Sequence, residues 1–152
     1  MYTRDYILRM IEQLKKAIAT ILRLGDEQRI EEALDTLGDT YDELLGHPPG
    51  ALASLTVQSA AMTLGKWHRI RIYGSLLETE AEVLCSRGGP SDLVQAARLR
   101  LRALQLTLLG LDYGGRGDPA LADRAKELLA KVDRAALDAK SEAALRELKL
   151  LK

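Results

Sequence analysis

The stretch ILRMIEQLKKAIATIL at residues 7–22 carries the clearest structural signal in the chain. Its apolar side chains recur every three or four positions, which places them along one face of a helix with 3.6 residues per turn. The positions on that face are Ile7, Met10, Ile11, Leu14, Ile18, Ile21 and Leu22. Charged side chains such as Arg9, Glu12 and Lys16 fall on the opposite face. The stretch therefore predicts an amphipathic helix with one buried side.

The same periodicity continues along the chain and predicts an all-α protein of about six to seven helices. Leu and Ala, both strong helix formers, make up about a third of the 152 residues. Clusters of Gly and Pro interrupt the pattern in a break at 46–50 and a glycine-rich loop at 114–117. The predicted helices cover 3–24, 26–45, 51–64, 66–87, 91–110, 119–132 and 141–151. A chain of this length forms one helical domain, 1–152.

Short polar side chains mark the start of several predicted helices. A side-chain oxygen just before the first turn accepts a hydrogen bond from a free backbone amide, so Ser, Thr and Asp are favoured there. We expect this role for Thr3, Asp26, Ser91, Asp118 and Ser141. Asp118 is the strongest of these signals because Pro119 follows it, and proline suits the first helical position.

The first two predicted helices form an antiparallel hairpin over 3–45, because only Gly25 and Asp26 separate them. Helix pairs at this spacing suit a repeat of roughly 34 residues, as in tetratricopeptide arrays. The Trp and the paired Gly of the full consensus are missing. Two arrangements therefore stay open, namely a tetratricopeptide-like stack of antiparallel hairpins and an irregular helical bundle.

Three segments carry a resemblance to known proteins: DYILRMIEQL at 5–14, Ala33-Leu34, and YDELLG at 41–46. Together they resemble a family of uncharacterised bacterial all-helical proteins with tetratricopeptide-like hairpins. The resemblance covers mainly residues 5–46. It implies a helical fold and a bacterial, cytoplasmic setting, and it implies no catalytic or binding residue.

Composition disfavours several classes of function. The 22 Lys and Arg residues balance 22 Asp and Glu residues, so the chain lacks the positive field of a general nucleic-acid binder. No run approaches the ~20 apolar residues of a membrane span, and charges interrupt the N-terminal pattern, so we expect neither membrane insertion nor export. Cys85 is the single cysteine, which excludes an intrachain disulfide and suits a cytoplasmic protein.

Few residues carry a catalytic or metal-binding signal. His47 and His68 are the only histidines, and neither has a carboxylate four residues after it, whereas a zinc site needs several ligands at fixed spacing. The loop at 114–117 lacks the Lys-Ser/Thr pair of a phosphate loop and follows a helix rather than a strand. We therefore predict no catalytic residue, no metal and no cofactor.

One part of the chain combines aromatic and basic side chains, a mixture enriched at protein-binding hot spots and in single-stranded nucleic-acid sites. The candidate partner-binding residues are Lys66, Trp67, Arg69, Arg71, Tyr73, Arg98 and Arg102. The alternative is that Trp67 and Tyr73 pack in the core while the charges face water. The predicted helix 26–45 has the opposite sign, with eight acidic residues against Arg29 alone. It can face the basic part within one chain or across a dimer.

These patterns predict a non-catalytic protein-interaction module, a scaffold or adaptor that binds another protein or peptide or associates with itself. Stacked helical hairpins present a concave face suited to such partners. Two alternatives from other classes stay open. One is a small nucleic-acid-associated regulator that uses the same basic residues, and the other is a helical protein that binds a small ligand between its helices.

Overall fold

The computed structural model describes residues 4–151, and within that range it contains only helices and their connections. The α-helices are α1 (Arg4–Asp26), α2 (Ile30–Leu45), α3 (Pro49–Ala53), α4 (Val57–Leu64), α5 (Trp67–Arg87), α6 (Pro90–Leu109), α7 (Ala120–Leu129) and α8 (Ala139–Glu147). Short 3-10 turns cover Gly110–Asp112, Gly115–Gly117 and Arg134–Ala136. The predicted all-α class is confirmed, and the number of α-helices in this range is eight, slightly more than predicted.

Helix α5 lies at the centre of the packing. It contacts α1, α2 and α6, and its contact with α6 is the most extensive between any two helices in the described range. Its sequence explains this place, because eleven of its 21 residues are buried and they fall on nearly every side of the helix. Helices α4, α7 and α8 pack against α6. The buried Leu, Ile and Ala side chains of these helices form one continuous core.

The connection between α1 and α2 differs from the prediction. Helix α1 continues through Gly25 to Asp26, and α2 begins only four residues later, so Asp26 does not cap α2. Gly25 is buried where α1 packs on α5, and a Cβ atom added to it would lie 3.6 Å from Cγ2 of Val83. Gln28 makes the turn instead, with a φ angle of +60°. Helix propensity alone predicts that α1 ends at Gly25. Packing against α5 instead keeps this glycine inside the helix.

Two predicted serine caps are wrong. At the start of α6 the side chain of Asp92, not that of Ser91, accepts a hydrogen bond from the amide of Gly89, at 3.1 Å. At the start of α8 the side chain of Asp138 accepts one from the amide of Ser141, at 2.7 Å. In both places a charged carboxylate takes the role, because it accepts a stronger hydrogen bond than a hydroxyl does.

The prediction at Asp118 holds in part. Its Oδ1 accepts a hydrogen bond from the amide of Ala120 at 2.9 Å, but α7 begins at Ala120, so Pro119 lies just before the helix rather than at its first position. The preceding loop at 114–117 is not wholly irregular, since it contains the 3-10 turn Gly115–Gly117. Thr3, the predicted cap of α1, lies outside the described residues.

The predicted helix over 51–64 is two helices, α3 and α4. Helix α3 begins at Pro49, inside the predicted break at 46–50. Helix α4 begins after Thr56, whose Oγ1 accepts a hydrogen bond from the amide of Ser59 at 3.1 Å. The side-chain oxygen of Thr56 competes with a continuous helix and starts a new one, which explains the extra element.

The two C-terminal helices are shorter than predicted. Helix α7 ends at Leu129, and α8 covers Ala139–Glu147 rather than 141–151. The periodicity of the predicted helix 141–151 places Leu145 and Leu148 on its buried face; Leu145 is fully buried, whereas Leu148 is half-buried and lies just beyond the helix. The ends of α2, α4 and α5 agree with the prediction, since Gly46, Gly65 and Gly88 follow them with left-handed φ angles of +70°, +77° and +76°.

Candidate functional site

The predicted basic and aromatic residues do not form one surface. Lys66, Trp67 and Arg71 border a shallow groove of about 470 Å³ at the start of α5, next to α1 and the glycine-rich turn. The others lie elsewhere along α5 and α6: Arg69, Tyr73, Arg98 and Arg102. Most of these side chains bind other parts of the same chain.

Asp118 gathers the polar groups at the start of α5. Its Oδ2 accepts a hydrogen bond from the indole nitrogen of Trp67 at 2.8 Å and lies 3.4 Å from Nη1 of Arg71. Its Oδ1 accepts a hydrogen bond from the amide of Ala120 at the start of α7. The indole of Trp67 is half-buried against the core. Trp67 and Arg71 therefore join α5 to α7 instead of standing free for a partner.

Tyr73 and Arg102 form a buried link between α5 and α6. Tyr73 is 1% exposed, and its hydroxyl accepts a hydrogen bond from Nε of Arg102 at 3.0 Å. The guanidinium carbon of Arg102 lies 5.6 Å from the centre of the Tyr73 ring, a cation–π distance. Nη2 of Arg102 also donates to the backbone carbonyl of Leu52 in α3, at 2.8 Å. Tyr73 is thus a core residue, as the alternative interpretation held.

Arg69 binds the ends of two helices. Its guanidinium donates to the backbone carbonyls of Leu45 and Leu64, the last residues of α2 and α4. Carbonyls at helix ends lack partners within the helix and carry a partial negative charge. By contrast, Lys66 is exposed, and Arg98 is exposed and makes no hydrogen bond or ion pair with residues 4–151. Among the predicted arginines, Arg98 is thus the one available to an external group.

Arg98 lies on a larger groove that runs over α5 between α2 and α6. Both helices pack on α5 but make little contact with each other, which leaves a space of about 690 Å³ that is open to solvent. We call it the α5 groove. Its lining residues are Leu34 of α2, Glu80, Leu84 and Arg87 of α5, and Pro90, Ser91, Asp92, Val94, Gln95 and Arg98 of α6.

Glu80 places a carboxylate in the α5 groove. Its side chain is half-buried and makes no hydrogen bond or ion pair with any described residue. Burial raises the pKa of Glu80 above its ordinary value of 4.5. Burial also raises the pKa of Tyr41 and of Tyr73, and the charge of Glu80 adds to both increases. A half-buried carboxylate without a counter-charge is unfavourable, so a cation from outside would stabilise it.

An ion-pair cluster closes one end of the α5 groove. Arg87 donates two hydrogen bonds to the carboxylate of Asp92, from Nη2 at 2.8 Å and from Nε at 3.0 Å. A third contact reaches Glu31 of α2 at 3.5 Å. The hydrogen bond from Arg87 holds the pKa of Asp92 below its ordinary value of 3.8. These contacts link α2, α5 and α6 beside the groove.

The α5 groove carries charges of both signs. Glu80 lies inside it, and the wall formed by α6 carries the unpaired Arg98. The exposed face of α2 is acidic, with the side chains of Glu31, Glu32, Asp35, Asp39, Asp42 and Glu43, but Leu34 is the residue of α2 that lines the groove. On α6, Leu93 and Val94 are 52% and 54% exposed, and Val94 lines the groove. The groove thus combines an unpaired acid, an unpaired arginine and an exposed apolar side chain.

Of the residues that line this groove, Arg98 was predicted from the sequence, whereas Glu80 and Val94 were not. A signal for Glu80 was present, because it lies three residues after Leu77 and four before Leu84, on the apolar strip of α5. An acidic side chain at such a position either pairs with a cation within the fold or is available to pair with a cation of a binding partner. The exposure of Leu93 and Val94 carried no comparable signal, since apolar residues are expected to be buried.

Within residues 4–151 no group of three or more His, Cys, Asp or Glu side chains is placed to hold a metal ion. A search of the same residues finds no helix whose length and apolar character would let it cross a membrane. Comparisons with family models, curated proteins and solved structures find no match for the chain.

Proposed function

We propose that this protein is an interaction module that binds an amphipathic helical segment of another protein in the α5 groove. The observation that supports this most directly is the half-buried, unpaired carboxylate of Glu80 in an open groove. A Lys or Arg of the partner would pair with Glu80 in a charge-assisted hydrogen bond. Apolar side chains of the same segment would cover Leu34, Leu84 and Val94.

The shape of the groove favours a helix as the partner. Its walls are the helices α2 and α6, with α5 below them, so an added helix would pack by the same ridges and grooves as the rest of the fold. A helix also satisfies its own backbone hydrogen bonds. An extended peptide that binds by adding a strand would need the edge of a sheet, and the described residues contain no strand.

The two unpaired charges of the groove favour a defined charge pattern in the partner. A segment with a basic residue facing Glu80 and an acidic residue facing Arg98 would be attracted at both places, whereas a segment with the charges exchanged would be repelled. Complementary charge of this kind contributes more to specificity and association rate than to affinity. Binding should therefore be faster at low ionic strength.

The proposal includes a tetratricopeptide-like relation between the hairpins α1–α2 and α5–α6. In support, α5 packs against both helices of the first hairpin, as the next repeat does in a stacked array. Helices α3 and α4 lie between the two hairpins in sequence and make the arrangement irregular. Such stacks serve as scaffolds because their grooves are wide and already formed.

Site-specific crosslinking tests this proposal. A photoreactive amino acid at Gln95, inside the groove, should crosslink one partner segment in a lysate of the source cells, and mass spectrometry should identify that segment. The same group at Glu127, exposed on α7 outside the groove, serves as the control. A synthetic peptide of the captured segment should bind the purified protein and compete for the crosslink.

A pair of matched substitutions locates the contact. Val94→Asp places a charge at the edge of the groove, whereas Met62→Asp does so at a more exposed apolar residue that does not line it. Val94→Asp should weaken binding of the peptide about tenfold, since one apolar contact becomes a desolvated charge, and Met62→Asp should leave it unchanged. Equal effects of the two variants, or equal crosslinking at Gln95 and Glu127, would reject the groove. A crosslink to a second copy of this chain would show self-association instead.

A further inference from the structure

A separate cleft lies at the other end of α6. It has a volume of about 280 Å³, and it is more enclosed than the α5 groove. Helices α4 and α8 form its two sides, and the end of α6 with the following 3-10 turn lies between them. It shares no lining residue with the α5 groove, so it is an independent site.

The cleft has an apolar floor and polar groups above it. Leu108 and Leu111 are almost fully buried below the cleft, and Val57 of α4 is half-buried at its side. The side-chain amides of Gln58 and Gln105 also line it, and they make no hydrogen bond with any residue in 4–151. An apolar cleft with a few free polar groups is typical of a small-molecule site.

Acidic side chains outnumber basic ones around the cleft. Asp112, Asp138 and Glu147 carry negative charge, and Lys140 is the single cation in the lining. Asp138 caps α8 and Glu147 pairs with Arg116 at 2.9 Å, whereas Asp112 is exposed and makes no contact of this kind within the described range. Asp112 is therefore the carboxylate available to a ligand.

Helix ends near the cleft do not reverse this sign. The first turns of α4 and α8 border it, and helix N-termini carry a partial positive charge. However, the side chain of Thr56 accepts a hydrogen bond from the amide of Ser59, and that of Asp138 accepts one from the amide of Ser141. These side chains already bind some of the free amides at the two helix starts. Lys140 makes no ion pair within the described range, so the preference for a cation rests on the unpaired Asp112 and on the excess of carboxylates over Lys140 in the lining.

We propose that this cleft binds a small organic cation, an amine with a ring-sized apolar body. The body would lie on Leu108 and Leu111, and the ammonium group would reach Asp112. The volume agrees with this class, since an apolar cavity of about 150 Å³ holds one benzene molecule and the cleft is nearly twice as large. A fused two-ring body with a short amine arm therefore fits.

Three probes that share a naphthalene ring test the proposal: naphthylmethylamine, its neutral N-acetyl derivative and the anion naphthylacetate. NMR titration of the full chain should show the amine binding with a Kd below about 1 mM, at least about fivefold tighter than either of the other probes. The preference should decrease as salt is added, because the charge lies at the rim. Equal affinity for the three probes, or tighter binding of the anion, would overturn the proposal.

Substitutions tie the binding to this cleft. Asp112→Asn should reduce the affinity for the amine about threefold and leave that for the acetyl derivative unchanged, and Lys140→Gln should raise it. Asp123→Asn, at an exposed acid of α7 outside the cleft, is the control. Ala143→Trp, at an exposed position in the lining, should block binding while the thermal unfolding midpoint stays near that of the wild type. Unchanged binding in the Asp112→Asn and Ala143→Trp proteins would place the probe elsewhere. None of these residues lines the α5 groove, so both proposals can fail independently.

Discussion

At the scale of single residues, two positions around Trp67 hold the fold together. The indole ring lies directly on the Cα atom of Gly110, and a Cβ atom there would lie only 2.3 Å from Cζ3 of the ring. The indole nitrogen meanwhile donates to Asp118. The missing side chain of Gly110 and the carboxylate of Asp118 thus fix the face and the edge of the same aromatic ring.

Gly110→Ala should destabilise the protein, because the added methyl group must displace the Trp67 ring. Forcing an extra carbon into a packed site typically costs about 1–3 kcal/mol, which corresponds to a decrease in Tm of roughly 3–10 °C for a chain of this size. Thermal unfolding by circular dichroism measures it. Gly117→Ala is the control, since an added Cβ meets no atom within 4 Å there. Equal Tm values for the two variants would contradict the packing described above.

Asp118→Asn should destabilise the protein at neutral pH and have little effect in acid. Burial alone would raise the pKa of Asp118, but the hydrogen bonds from Trp67 and Ala120 and the charge of Arg71 outweigh it and hold the pKa below the ordinary value of 3.8. A carboxyl with a lowered pKa stabilises the folded state above its unfolded pKa, and this contribution is lost as the pH falls through the folded value.

The asparagine side chain offers one acceptor where the carboxylate offers two, so we expect a loss of about 1–2 kcal/mol at pH 7. Urea unfolding at pH 7 and at about pH 2.5 measures the difference. Asp123→Asn, at an exposed acid one turn into the same helix, should change stability little at either pH. A loss of the same size at both pH values would mean that the charge of Asp118 is not the cause.

At the scale of the element, α2 shows how a helix can serve two neighbours. Its buried strip, which includes Ala33, Leu37 and Tyr41, packs in the core, while Leu34 forms one wall of the α5 groove. Gly38 lies one turn after Leu34 on the same side of the helix, and an added Cβ atom would meet no atom within 4 Å. Gly38 thus lowers the stability of the helix, and no packing contact requires a glycine there.

Gly38→Ala should stabilise the free protein. Alanine in a helix interior is favoured over glycine by about 0.5–1 kcal/mol, which corresponds to an increase in Tm of roughly 1–4 °C. Gly46→Ala should instead lower the Tm, because the φ angle of +70° at this position strains any residue with a Cβ atom. A Tm for Gly38→Ala at or below that of the wild type would show that the glycine is needed for packing.

At the scale of the whole molecule, the α5 groove exists because α2 and α6 both pack on α5 but make little contact with each other. Glu80 stays half-buried in that space without a counter-charge. Residues that contribute to function often lower the stability of the free protein. Removing the charge of Glu80 should therefore raise the stability of the free protein and weaken binding of the partner.

Glu80→Gln should raise the Tm of the free protein at neutral pH. An acid whose folded pKa is raised contributes stability below its unfolded pKa, and that contribution is lost as the pH rises through the folded value. The gain from the neutral amide should thus be present at pH 7 and disappear below about pH 4. Unfolding curves at the two pH values test this, with Glu43→Gln, at an exposed glutamate of α2, as the control. A lower Tm at pH 7 would mean that the fold itself uses the charge.

The same variant should bind the partner peptide about tenfold more weakly, because the charge-assisted bond to its basic side chain is lost. Since the variant is expected to be more stable, unfolding cannot account for weaker binding. Unchanged affinity would remove Glu80 from the proposed interface and leave the apolar wall as its remaining basis.

Local features of the fold could be predicted from the sequence. The end of α5 at Gly88, the start of α7 at Asp118 and the buried strip of α1 all depend on residues within about one helical turn, so the sequence pattern contains the needed information. Predictions failed where a distant neighbour decided the result. Gly25 stays inside α1 because α5 packs against it, and no local signal reports that contact.

The sequence by itself determined that this chain is helical and where most of its helices begin and end. The tertiary structure alone decided what the chemistry-bearing side chains do. Arg102 belongs to the core link with Tyr73, whereas Arg98, one helical turn earlier, faces the groove, although both read as basic residues of one helix. Glu80 is likewise unpaired because the packing of α2 and α6 on α5 places no cation beside it. Helix propensity depends on neighbours along the chain, while burial and pairing depend on which helices meet in space, and packing settles that only once the whole core has formed.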